Sequence, residues 1–170
     1  MNIIRYKDLN IYNDYTKQPQ ILEKIKNLLK NKDDFVSINP FAGMNKLTKI
    51  NNDINKAYNT EYQLDALDFL KNIKDESVDL VIYDPPYNIT RLIKYFDDLN
   101  IKRKLYHTRT QYWTFLKTEI SRIIKSNGCV ISIGYNSGGI GKKNGFKTVD
   151  IIVINNKTKN DIYCLIENKI

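Results

Sequence analysis

Apolar positions change their period several times along the 170 residues, and each change predicts an element. After a polar, irregular opening, Ile21, Leu22, Ile25, Leu28 and Leu29 recur at helical spacing, so residues 1–34 are expected to form an amino-terminal helical segment. Pro19 suits the first turn, where its missing N–H would have no intrahelical partner, and Thr16 stands close enough to cap it. Residues 35–38 form a first short strand that runs into Asn39 and Pro40, residues 47–53 a second, and a third ends at Asp65 with a helix after it. Residues 78–83, Val-Asp-Leu-Val-Ile-Tyr, have the apolar, β-branched character of a strand buried on both faces of a parallel sheet. A long helix is expected over 110–126, with Trp113, Leu116, Ile120, Ile123 and Ile124 on its buried face and a stop at Asn127-Gly128. Further strands follow at 129–135, 149–154 and 162–167. Strands alternating with helices specify an α/β protein, and this length suits one domain.

Composition narrows the function classes. No apolar run approaches the ~20 residues of a membrane span, and the polar start does not resemble a signal peptide, so a cytoplasmic protein with no membrane contact is expected. Cys129 and Cys164 lie in strand-like runs without metal-ligand spacing, and His107 is the single histidine, which argues for reduced thiols and against a zinc or Cys–His site. The net charge of +8 is uneven: residues 1–85 carry 12 Lys/Arg against 13 Asp/Glu, whereas residues 86–170 carry 15 against 6. Either the second half presents a surface to a polyanion or it is a solvated lysine-rich face.

The two halves meet at Asp84-Pro85-Pro86-Tyr87. Consecutive prolines cannot donate to a sheet ladder, so they end the strand and present Asp84 and Tyr87 at its carboxyl edge, where open α/β sheets bind ligands. A plain Pro-Pro turn would look the same in isolation. The tetrapeptide resembles the catalytic motif of S-adenosylmethionine (SAM) dependent amino-methyltransferases, above all those acting on N6 of adenine in DNA. The resemblance implies that the Asp84 carboxylate and the Pro85 carbonyl accept hydrogen bonds from the target amine, that Pro86 stiffens the loop, and that Tyr87 stacks on the base. It extends along the chain. Asn39-Pro40-Phe41-Ala42-Gly43 resembles the family's Asp/Asn-Pro-Phe-x-Gly turn beside the methionine part of SAM, although Met44, Asn45 and Lys46 follow where a second glycine is usual. Thr16-Lys17-Gln18-Pro19 resembles the amino-terminal cofactor motif; Asp53 would hold the ribose with Ile54 against the adenine, and Asp65 the adenine amine with Ala66 near the ring. The implied fold is a Rossmann-like, mostly parallel seven-stranded sheet with an antiparallel last strand and helices on both faces.

Residues 88–112 mix Asn88, Arg91, Lys94, Lys102, Arg103, Lys104 and Arg109 with Tyr95, Phe96 and Tyr106, a pattern suited to phosphate contacts and base stacking or, alternatively, to a solvated lid; His107 is expected at the surface. Asn136 opens a glycine-rich turn followed by Lys142 and Lys143. DNA is the implied partner, RNA the alternative, and sequence discrimination would come from these segments, a partner subunit or a homodimer. A non-catalytic nucleic-acid-binding subunit is the reading from a different class.

Overall fold

The computed structural model describes residues 1–8, 15–29, 34–156 and 160–170. In chain order the elements are β1 (Asn2–Asp8), α1 (Pro19–Leu29), β2 (Ser37–Asn39), β3 (Ile50–Asn51), α2 (Ala66–Lys71), β4 (Val78–Tyr83), α3 (Ile89–Asp98), α4 (Gln111–Ile123), β5 (Ile124–Gly134), β6 (Phe146–Asn156) and β7 (Ile162–Lys169). They build one sheet in the order β1-β6-β7-β5-β4-β2-β3, in which β7 runs antiparallel to both neighbours and every other pair is parallel. This is the expected Rossmann-like sheet with an antiparallel last strand.

Strand β4 is an interior strand, between β5 and β2, with apolar side chains on both faces. Val81 and Tyr83 pack towards α2, α3 and α4 with Phe69, Leu70, Leu92, Leu116 and Ile120. Leu80 and Ile82 point the other way, into a layer closed by Ile21 and Ile25 of α1. The free thiols of Cys129 and Cys164 belong to this second layer, and burial pushes the Cys129 thiol up to about 12, so it stays protonated.

Three elements differ from expectation. Residues 2–8, read as irregular, form an edge strand parallel to β6, with Asn2 opposite Asp150 and Tyr6 opposite Ile154. Ile3 and Ile4 remain 52% and 46% exposed, so the strand is held by its backbone ladder and has no buried face to impose a period of two. The third strand is reduced to a single bridge between Asn52 and Tyr62. There two backbone bonds, Tyr62 N to the Asn51 carbonyl and Asp53 N to the Tyr62 carbonyl, are extended by the fully buried amide of Asn52: Nδ2 donates to the carbonyls of Pro40 and Leu64, both at 3.0 Å, and Oδ1 accepts from the Leu64 N–H at 3.0 Å. Finally, α4 ends at Ile123 and β5 begins at the next residue; Asn127, with φ of 63°, and Gly128 form an irregularity inside β5 rather than a helix stop. A Cβ at Gly128 would lie 2.7 Å from Ile124 Cγ2 and 2.9 Å from the Lys125 carbonyl, which explains the glycine.

Candidate active site

Strand β4 delivers Asp84-Pro85-Pro86-Tyr87 to the carboxyl edge of the sheet, as expected. The Tyr87 hydroxyl donates to Asp84 Oδ1, and its ring stacks on Tyr15 (centroids 5.7 Å apart, planes at 25°) and packs on Tyr135 at 4.4 Å. Burial, reinforced by the Asp84 charge, raises the Tyr87 hydroxyl far above its ordinary range, so it remains a donor. The Tyr15 and Tyr135 hydroxyls are hydrogen-bonded at 3.1 Å, and burial with that bond pushes Tyr15 up to about 12. Arg91 covers the pair, its guanidinium 5.8 Å and 5.4 Å from the Tyr87 and Tyr135 ring centroids. On the other side Trp113 Nε1 donates to the Pro86 carbonyl at 3.0 Å. The loop is therefore clamped between an aromatic cluster and α4.

A cleft of about 560 Å³ opens beside the loop, walled by Pro85, Tyr87, Asn88, Trp113, Lys117, Ser132, Tyr135 and Asn136. Its size is within the ~300–1,000 Å³ range of small-molecule sites. Lys117 is the cation in its wall, and burial lowers its pKa while the charge of Glu167 acts in the opposite direction. The cleft exists because no α-helix joins β5 to β6; residues 135–145 make a loop with one 3-10 turn, Lys142–Asn144. Glu167 of β7, completely buried, fastens this loop by accepting from Ser132 Oγ (2.8 Å), Ile140 N (2.8 Å) and Gly141 N (3.0 Å). Neither Lys117 nor Glu167 was singled out in the sequence. The available signal for Lys117 was its position four residues after Trp113, on the same side of α4; none marks Glu167.

On the opposite side of the loop, Pro86 meets the residues assigned to the cofactor. Pro40, Phe41, Asp53, Ile54, Asp65 and Ala66 converge around one cavity. The Asn39 side chain accepts from Phe41 N (3.0 Å), and Ala42 N donates to the Asn52 carbonyl, bending the chain so that Gly43, at φ +56°, donates its N–H to Asp53 Oδ2 at 2.9 Å. Asp53 Oδ1 accepts from Asn55 N (2.9 Å) and the Tyr95 hydroxyl (2.7 Å). Asp65 caps α2 through Oδ1, which accepts from Leu67 N and Asp68 N, while Oδ2 accepts from His107 Nε2 (3.1 Å) and the Tyr112 hydroxyl (2.9 Å). Because His107 Nδ1 accepts from Lys104 N, its proton is assigned to Nε2. Burial alone would raise the Asp65 carboxyl, but the hydrogen bonds it accepts from His107, the Tyr112 hydroxyl and the Asp68 N–H hold it below the usual carboxylate range. Thr16 and Lys17 lie outside this cavity; buried Thr16 accepts from Asn45 Nδ2 behind the Gly43 turn, and Lys17 is exposed.

Part of the basic segment is ion-paired at the surface. Lys94 is paired with Asp98 (2.8 Å), Arg103 with Asp97 (3.0 Å) and Lys104 with Asp68 (2.5 Å). Asn88 Oδ1 caps α3 by accepting from Arg91 N at 2.8 Å, and Asn136 Oδ1 shapes its turn by accepting from Gly138 N at 2.9 Å. Lys102, Arg109, Lys142 and Lys143 are exposed. His107, expected at the surface, is 1% exposed because Asp65, Phe96 and Tyr112 surround it.

No family model and no curated protein matches the chain. Solved structures do. TrmN from Thermus thermophilus aligns with a TM-score of 0.58 at 13% identity over 88% of this chain and 48% of its own, so the chain spans about half the length of TrmN. HI0767 from Haemophilus influenzae, assigned as a methylase, aligns with a TM-score of 0.56 at 14% identity over 89% of this chain and 98% of its own. At these identities the likeness is one of fold, the Rossmann-like seven-stranded α/β sheet described above.

Proposed function

We propose that the protein is a SAM-dependent methyltransferase acting on an exocyclic amine of a nucleobase, with N6 of adenine in DNA as the acceptor. The observation that carries this reading is the position of Asp84-Pro85-Pro86-Tyr87: Pro85 and Tyr87 wall the 560 Å³ cleft, and Pro86 walls the cavity ringed by Asp53 and Asp65. An exocyclic amine is a weak nucleophile because its lone pair is delocalised into the ring. Two fixed acceptors, the Asp84 carboxylate and the Pro85 carbonyl, would draw its N–H bonds towards a tetrahedral arrangement and direct the lone pair out of the base plane. Tyr87 holds Asp84 Oδ1 in place before substrate arrives, so the acceptors need no reorganisation during the reaction. A base in a duplex would have to leave the stack to reach the cleft. Exposed Arg109, Lys142 and Lys143 supply positive charge for the phosphates, and a partner subunit or second copy would add discrimination.

The donor set of the second cavity fits the nucleoside part of SAM in kind. Two carboxylates, Asp53 just beyond β3 and Asp65 at the start of α2, suit a ribose diol and an adenine amine, and Ile54 and Ala66 are apolar surfaces for the ring. SAM, when bound, supplies an electrophilic methyl group. The test is transfer of labelled methyl from SAM to unmethylated duplex DNA, single-stranded DNA and total RNA, with Asp84→Ala as control. Label in N6-methyladenine of DNA, lowered ~10²-fold or more by the substitution, is the expected result; label in RNA alone moves the acceptor, and no transfer by folded protein favours a non-catalytic nucleic-acid-binding subunit. One observation favours that second reading: the cavity ringed by Asp53 and Asp65 holds only about 20 Å³.

A further inference from the structure

The cavity between Asp53 and Asp65 is small because the protein fills it. Leu92 and Phe96 of α3, both almost fully buried, occupy its apolar part. The hydroxyl of Tyr95 donates to Asp53 Oδ1, as a ribose hydroxyl would, and His107 Nε2–H donates to Asp65 Oδ2, as an aromatic amine would. Phe96 and His107 lie ring against ring, centroids 4.3 Å apart and planes at 35°, and Phe96 is part of the wall of the cavity that Asp53 and Asp65 line. The cavity's 20 Å³ compares with the ~300 Å³ that small-molecule sites need at the least. No minor side-chain movement makes up that difference. Room for a nucleoside requires α3 and the 3-10 turn Leu105–Thr108 to move together.

We infer that residues 89–109 form a lid that imitates the adenosine part of the cofactor, so that the lid and a nucleoside cofactor compete for the Asp53 and Asp65 carboxylates. This rests on the SAM reading of the cavity proposed above. The lid also carries Arg91, Lys94, Lys102, Arg103, Lys104 and Arg109, so opening it breaks the Lys104–Asp68 pair and presents these cations in a new arrangement. Cofactor binding and polyanion binding are then linked, each changing the other's affinity by the same factor.

The apparent affinity for a ligand that needs the open state falls with the fraction open. Removing one lid hydrogen bond without removing its ring should therefore tighten cofactor binding. The experiment is equilibrium dialysis of radiolabelled SAM against the full chain and against Tyr95→Phe, together with hydrogen exchange of the unsubstituted protein with and without SAM. The expected results are roughly three- to tenfold tighter binding by Tyr95→Phe, from one hydrogen bond of ordinary net strength, and faster exchange across 89–109 when SAM is present. Binding of SAM with 89–109 equally or better protected, and no tightening in Tyr95→Phe, overturns the lid and leaves the SAM reading standing. Absence of SAM binding by both proteins, each shown to melt cooperatively, overturns both.

Discussion

Asp65 gives one oxygen to the start of α2 and the other to His107 and Tyr112. Replacing it with alanine removes a helix cap, worth about 1 kcal/mol, and strands two buried donors, so Asp65→Ala should lose ~3 kcal/mol in urea unfolding. The same carboxyl predicts a pH dependence. Its folded pKa is depressed, so its stabilisation is fully present above the ordinary carboxyl range and is lost as pH falls through that range and below it. Stability measured from pH 6 down to about pH 2 should therefore fall more steeply in the unsubstituted protein than in Asp65→Asn, which has no proton to take up. Lys117 behaves in the opposite sense, since burial disfavours its charged form. Lys117→Met should leave the melting temperature unchanged or slightly higher while raising KM for the proposed nucleic-acid acceptor several-fold, as a steady-state titration would show. Residues of this kind are hard to find in sequence. Lys117 and Glu167 matter because of what folds next to them, and Lys104 meets Asp68 across 36 residues of chain, a pairing no local pattern shows.

At the scale of elements, what could be read is what buries a face. Strand β4 and helices α1 and α4 have apolar positions at the spacing of their own geometry, and each was anticipated. Strand β1 and the Asn52–Tyr62 bridge could not be read, because backbone pairing in the first, and backbone pairing extended by a side-chain amide in the second, replace hydrophobic alternation. The β5–β6 loop is an intermediate case. Its glycines were visible, but the reason for them was not: a Cβ on Gly139, at φ +45°, would lie 2.4–2.6 Å from the Glu167 carboxylate. Gly139→Ala should cost about 2–3 kcal/mol in chemical denaturation, combining left-handed strain with displacement of a buried charge. Gly145→Ala tests the distinction, since its Cβ would meet nothing within 4 Å and only the strain of φ +78° remains.

Across the whole molecule, the sheet places two spaces on either side of one loop: a cleft beside the loop that Glu167 fastens, and a carboxylate-lined cavity filled by α3. The strand order has a further effect on how the molecule is assembled. Strand β7 follows all the others in the chain yet lies between β5 and β6. Until it is in place, β2 to β5 form one ribbon and β1 with β6 another, with no ladder between them, and the carboxylate that holds the cleft's loop has not arrived. During synthesis the growing chain therefore carries two open sheet edges that fit the same strand. The native protein meets this hazard by having a single segment join the edges and complete the site in one step.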